Sequence, residues 1–171
     1  DGGQWLHPDE RQIYFVALGL GWPESLGQAL SPASPLNPGF FAYGSLPIYL
    51  LRPAAALLGL FWPAVRDPGN LHLAGRLLAV LFDLGTVCLA YGLGRRLAAG
   101  NGQRAAFLAA ALVALAVVHV QATHFYTADI VLAFLSTLAL TLAIDVARGA
   151  GRGRQVALRT AVCLALATKV A

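Results

Sequence analysis

The sequence predicts an all-α, polytopic membrane protein, and three features predict it. Charged residues make up only 12% of the 171 residues, against about 25% in ordinary soluble domains. Hydrophobic residues make up 58%, mean hydropathy is +0.67, and the apolar residues gather into runs of the length that a bilayer core demands. Between these runs the basic residues lie in short clusters, the distribution that the positive-inside rule produces.

The net charge of +4 would raise nucleic acid as a partner of a soluble protein. No interleaving of aromatic and basic residues and no nucleic-acid motif accompanies it, so no nucleic acid is expected. Cys88 and Cys163 both lie inside apolar runs and read as small buried residues, not a disulfide framework. The chain has no Met, starts at Asp1, and stops inside the apolar run "LALATKVA". The expectation is an internal part of a longer protein, truncated at both ends, with any signal peptide or first spanning helix upstream.

Residues 1 to 43 are mixed. "SPASPLNPGFFAYG" carries three prolines and two glycines, so it forms no single regular element. "DERQIYFVALGL" fits a short amphipathic helix with Ile13, Val16, Ala17 and Leu20 on one face. Five apolar stretches follow, at 43–62, 71–93, 105–120, 128–147 and 156–171.

Charge orients them. Arg95, Arg96 and Arg104 follow the second stretch, and Arg148, Arg152 and Arg154 follow the fourth, so both connections are expected to be cytoplasmic. "HVQATHFYTAD" has neither Lys nor Arg and is expected on the outer face. The first stretch contains Pro47, Arg52 and Pro53. Proline removes a backbone donor, and a mid-span Arg costs roughly 2.5 kcal/mol or more. It is therefore expected to lie at the outer interface as a juxtamembrane helix, with Tyr43, Tyr49, Phe61 and Trp62 at headgroup depth. Residues 1–70 then form one outer-face loop, and 71–171 carry four spanning helices with no linker between domains.

In "WLHPDERQIY" the adjacent acids Asp9 and Glu10 are candidates for acid–base work. A carboxylate within about 3 Å of an attacking hydroxyl can take its proton. Pro8 and two acids in a first turn also suit an ordinary helix start. Adjacent residues do not share a helix face, so the two acids differ in role. His7 with Asp9 or His124 offers two metal ligands where three or four are needed. Asp129, beside His124 and Tyr126, is either a first-turn acid or part of a site. Arg76, one turn into the second stretch, can grip a phosphate or snorkel to headgroups. Arg52 is open to the same two readings. Asp83 lies seven residues after Arg76 and about 10 Å deeper, and reads as a structural contact between helices. Lys169, the sole lysine, snorkels or meets a phosphate. The glycines of "LGLG" and "GAGRG" do not match a phosphate loop.

"HPDERQIYFVALGL", "SPLNPGFFAYGSLPIYLL", "AGRLLAVLFDLGTVCLAYGLGRRL", "THFYTADIVLAFLSTLAL" and "LALATKVA" occur in this order. Together they resemble the GT-C membrane glycosyltransferases. The nearest branch is the dolichyl-phosphate-mannose protein mannosyltransferase family, family 39, with the bacterial phospholipid-carrier-dependent glycosyltransferases. The aminoarabinose transferases of lipid A are more distant relatives. The resemblance implies a GT-C type helical module whose long outer loop carries juxtamembrane helices. It implies that Asp9 acts as catalytic base with Glu10 beside it. It implies an inverting transfer of sugar from a polyprenyl-phosphate donor, at the outer face of the cell's plasma or inner membrane, to an acceptor protein or glycolipid. It places Asp129 near the catalytic cavity, matches "ATK" at Lys169 to a family element, and makes Arg76, Lys169, Arg52, Asp129 and His124 candidates for binding substrate or carrier phosphate. Some GT-C branches use a divalent metal; in family 39 none is expected, so no cofactor is assigned.

The rival reading is a transporter or permease, in which Asp83, Arg76 and Lys169 line a path. No inverted repeat is visible, and the polar residues concentrate toward the outer side.

Overall fold

The computed structural model describes residues 7–40, 42–98 and 100–169. Among these residues there are helices and turns and no strand. The helices are α1 (Pro8–Gly19), α2 (Leu26–Ala29), α3 (Leu46–Leu58), α4 (Leu71–Leu97), α5 (Gly102–Ala114), α6 (Val117–Thr123), α7 (Ala128–Ala147) and α8 (Arg152–Thr168). Two 3-10 turns, Pro63–Arg66 and Pro68–Asn70, join α3 to α4.

His7 starts α1. Its Nδ1 accepts the Asp9 backbone N–H at 3.2 Å, and Pro8 occupies the first helical position, where a missing donor costs nothing. Asp9 and Glu10 fill the first turn, beside the positive end of the helix dipole. Ile13, Ala17 and Leu20 face the core as the periodicity predicts, but Tyr14, not Val16, is the fully buried neighbour. Arg52 reaches back from α3 and donates to the carbonyls of Ala17, Leu18 and Leu20 at 3.3, 3.3 and 2.9 Å. Those are acceptors that a helix end leaves unsatisfied.

α3 has 13 residues and is about 20 Å long, short of the roughly 30 Å of a bilayer core. Among the described residues two helices are long and apolar enough to cross a membrane, the segment Pro68–Leu97 that ends with α4, and α7. The expected span 105–120 is a bent pair, α5 and α6, meeting at 58°, which together have the length and composition of one broken span or a re-entrant loop. No Pro or Gly sits at the break. Ala116 takes an extended conformation, and the β-branched Val117 and Val118 that follow hold a helix poorly. The bend turns α6 onto α4, where His119 meets Asp83. The expected span 156–171 lies within α8, which has 17 residues, begins at Arg152, and carries Arg154 and Arg159 as well. It does not meet the length and composition of a span, and Val170 and Ala171 lie outside the described residues.

The buried core lies at one end of the bundle. There Ile13 and Ala17 of α1, Ile48 and Leu51 of α3, Leu71 and Ala74 of α4, and Ile130 and Val131 of α7 pack together. The described residues of 7–70 therefore share their core with the long helices. Away from that end, apolar side chains such as Leu81, Leu84, Leu112 and Leu140 point outward, as they do on a helix that faces lipid. The opposite end is basic. Asp145 pairs with Arg96 at 3.5 Å and with Arg154 at 3.4 Å, and Arg148 donates to the Arg96 carbonyl at 2.7 Å.

Candidate functional site

The core end carries the acids, and five chain segments deliver them and their partners. The first turn of α1 brings Asp9 and Glu10. The loop before α3 brings Tyr43. α4 brings Arg76, the start of α7 brings Asp129, and the end of α8 brings Lys169. Gly44 explains how the loop and α8 meet. Its N–H donates to the Thr168 carbonyl at 3.0 Å, and a Cβ on it would stand 1.9 Å from the Ala167 carbonyl oxygen. Only glycine allows that approach.

The two adjacent carboxylates are in opposite states. Glu10 is 2% exposed. Its Oε1 accepts Arg76 Nε at 3.0 Å and the Tyr126 backbone N–H at 3.2 Å, and its Oε2 accepts Arg76 Nη2 at 3.0 Å. This is a two-pronged guanidinium–carboxylate fork. Tyr126 is itself fixed. Its hydroxyl donates to the Pro47 carbonyl at 2.9 Å, its ring lies over Gly75, and burial pushes its phenol up. Glu10 thus has no oxygen without a donor and no path to solvent.

Asp9 is half-buried, and its Oδ1 accepts the Tyr43 hydroxyl at 2.5 Å. Among the described residues its Oδ2 has no hydrogen-bond partner. The Tyr43 phenol is pushed up to about 12, first by that hydrogen bond, then by partial burial and by the charges of Asp9 and Asp129. Asp129 accepts Lys169 Nζ at 2.8 Å. The ammonium is raised by that bond and by the charges of Asp129 and, more weakly, Asp9. Asp9, Tyr43, Asp129 and Lys169 therefore share one electrostatic neighbourhood.

Beside it opens a cavity of about 660 Å³, lined by His7, Arg76, Gln121, His124, Phe125 and Asp129 among others, a size ordinary for ligand sites. The His7 and Phe125 rings stack at 5.4 Å, and the Arg76 guanidinium lies 5.9 Å from the Phe125 ring centre. Arg76 is one-third exposed. Its Nε and Nη2 hold Glu10, which leaves Nη1 for a ligand oxygen. His124 Nδ1 lies 2.7 Å from the Val120 carbonyl, so Nδ1 carries the proton and Nε2 is left as an acceptor. A guanidinium, an imidazole and aromatic faces on one cavity wall suit an anionic group joined to a ring-shaped polar one.

The structure thus gathers Asp9, Glu10, Arg76, His124, Asp129 and Lys169 at one end. Arg52 is not among them, because its guanidinium closes α1 at the helix's other end. Asp83 lies deeper in α4, with its Oδ1 2.6 Å from His119 Nδ1. Among the described residues no three His, Cys, Asp or Glu side chains gather as a metal site. Tyr43, Tyr126 and Phe125 carry parts of this arrangement that no sequence motif singles out. The nearest signal is the Tyr-Gly pair at 43–44 inside a proline-rich loop.

No family model, no curated protein and no solved structure matches this chain.

Proposed function

We propose that this chain forms the donor-binding and base-carrying part of a membrane glycosyltransferase that uses a polyprenyl-phosphate sugar. The observation that carries the reading is the division between the two acids. Glu10 is locked to Arg76, and Asp9 keeps a free carboxylate oxygen at the edge of the same cluster. The donor's phosphate is recognised by Arg76 Nη1, and its sugar by Phe125, His7 and His124. Asp9 accepts the proton of the acceptor hydroxyl as that oxygen attacks the anomeric carbon. The carbon–oxygen bond to phosphate breaks, and inversion follows from attack opposite the leaving group. Lys169 and Asp129 sit where a swap of partners, carboxylate for phosphate, would stabilise the leaving group's charge.

In this reading the helices cross the membrane several times, with the acid cluster at the outer face and the Arg96–Arg154 end in the cytoplasm. The acceptor is a protein or a glycolipid. A transport reading would draw instead on the Asp83–His119 pair between α4 and α6.

The test uses the chain in lipid with labelled polyprenyl-phosphate sugars and membrane extract as acceptor. Wild type transfers label, and Asp9→Asn, which keeps an acceptor for Tyr43, folds normally and loses transfer at least 100-fold. Equal transfer by both proteins removes Asp9 from the chemistry.

A further inference from the structure

A second cavity, of about 480 Å³, lies on the far side of α1 from the acid cluster, between α3 and the turns that lead into α4. Arg52 and Arg66 both line it, with Val65, Ala55 and Leu71 as apolar wall and Asp67 at the rim. Arg66 has no carboxylate or carbonyl partner among the described residues. Its position is nevertheless built. The stem lies on Gly59, where a Cβ would stand 2.6 Å from Arg66 Cγ and 3.0 Å from its Nε. Gly59 therefore acts as the seat of the arginine, and any side chain there would displace it. Arg52 spends one nitrogen, Nη1, on the carbonyls of α1 and keeps Nε and Nη2. The Asp67 Oδ1 is occupied by the Gly69 N–H at 2.9 Å.

Next to this cavity the chain exposes Leu57, Leu60, Phe61 and Trp62, with Phe61 89% exposed. The four cover the end of α3 and the step into the 3-10 turn. Immediately after them begins the Pro68–Leu97 segment, apolar and long enough to cross a membrane. An exposed aromatic pair at the mouth of a spanning helix is the composition of a membrane interface.

From these features we infer that the Arg52–Arg66 cavity binds the headgroup of an anionic phospholipid, with its acyl chains lying along Leu57, Leu60 and Phe61. Charge selects the class. Two guanidinium groups and one carboxylate leave a single positive charge, which a phosphodiester monoanion balances. A phosphate monoester carries close to two negative charges at neutral pH and would meet Asp67 with one uncompensated. A zwitterionic headgroup adds an ammonium to a site that is already positive. The planar fork of Arg66 matches two phosphate oxygens. The site is separate from the acid cluster and does not depend on the transferase reading. A lipid there would fix α3 and the start of α4 at the depth of the headgroups.

The experiment places the full chain in phosphatidylcholine nanodiscs that contain one-fifth phosphatidylglycerol. Chain-brominated phosphatidylglycerol or chain-brominated phosphatidylcholine is then introduced at equal mole fraction. The readout is quenching of Trp62 fluorescence, isolated by subtracting a Trp62→Phe protein. Brominated phosphatidylglycerol should quench Trp62 more strongly, and Arg66→Gln should lower its local occupancy about fivefold and bring the two lipids level. Gly59→Ala, which keeps the charge and moves the stem, should do the same. Because each protein is compared with itself in the two lipids, a general loss of stability does not imitate the result. Equal quenching by both lipids in wild type overturns the inference. So does a phosphatidylglycerol excess that survives Arg66→Gln, and so does relief of the excess by millimolar inorganic phosphate alone, which would assign the cavity to a free anion.

Discussion

The different states of Asp9 and Glu10 give a measurement that separates them before any sugar is supplied. Replacing Glu10 by Ala removes three accepted bonds, two from Arg76 at 3.0 Å and one from Tyr126 at 3.2 Å. Breaking a buried ion pair from one side costs about 3–5 kcal/mol, because the other charge is left uncompensated. Arg76 is one-third exposed, so water reaches the orphaned guanidinium and the lower end applies, about 3 kcal/mol. Glu10→Gln keeps one acceptor but sets an amide NH2 against guanidinium donors, which brings the cost to about 2 kcal/mol. At roughly 2–4 °C per kcal/mol for a chain of this size, the Gln protein should melt about 4–8 °C lower and the Ala protein about 6–12 °C lower. Asp9→Asn should stay within about 2 °C of wild type, because its Tyr43 bond is retained and, among the described residues, its other oxygen faces no donor. The assay is a thermal melt of the three variants and wild type in one lipid composition. If Asp9→Asn melts lower than Glu10→Gln, or Glu10→Gln matches wild type, the assignment of Glu10 as the locked partner of Arg76 is wrong.

Tyr43 and Lys169 both have folded-state values above their ordinary ones, so their contribution is present at neutral pH and is lost as pH rises. Tyr43→Phe should lower stability at pH 7 by about 1 kcal/mol, a charged hydrogen bond discounted for partial exposure. Its gap to wild type in a denaturation series should close between pH 10 and about 12; a gap that persists at the alkaline end would exclude the Tyr43–Asp9 bond as its source. Gly44→Ala puts a Cβ against the Ala167 carbonyl, so the loop must part from α8 and Lys169 must leave Asp129. Acylation of Lys169, the only lysine in the chain, should then speed up several-fold by peptide mass spectrometry, and an unchanged rate would show that the loop does not hold α8 in place.

The sequence made the helical class and the α4 and α7 segments readable because uninterrupted apolar runs of this length fold as helices long enough to cross a bilayer. The run 128–147 coincides with α7, and 71–93 falls short of α4 only at its basic end, where Arg95 and Arg96 continue the helix. The same signals could not foresee the break after Leu115. That run contains no Pro or Gly to mark it, and the contact it serves, His119 with Asp83, joins residues 36 positions apart. Arg52 and Arg76 look alike in sequence, each a lone arginine in an apolar stretch. What separates them is that the end of α1 lies against one and Glu10 against the other. For Asp9 and Glu10, helix phase in "HPDE" foretold two different roles but not the partner of either. Their division rests on helix phase and on Arg76, 66 residues away.

That division also bears on which acid can take part in a reaction that needs a carboxylate to exchange partners. All three donors to Glu10 are fixed by the core: Arg76 by α4, and the Tyr126 N–H by a ring buried on Gly75 and a hydroxyl bonded to Pro47. Releasing Glu10 would mean opening that packing. Asp9 is held by one phenol, on a loop tied to α8 through the Gly44–Thr168 hydrogen bond. Exchanging the partner at its Oδ1 would need only the Tyr43 loop to shift and its Gly44–Thr168 bond to α8 to open. In the transferase reading, the buried pair would keep Arg76 in place while Asp9 changes partners. In a chain with Asp9 and Glu10 exchanged, the carboxylate at position 10 would be one methylene short of the 3.0 Å bonds to Arg76, and the one at position 9 one methylene too long for the Tyr43 hydroxyl, so both arrangements would weaken.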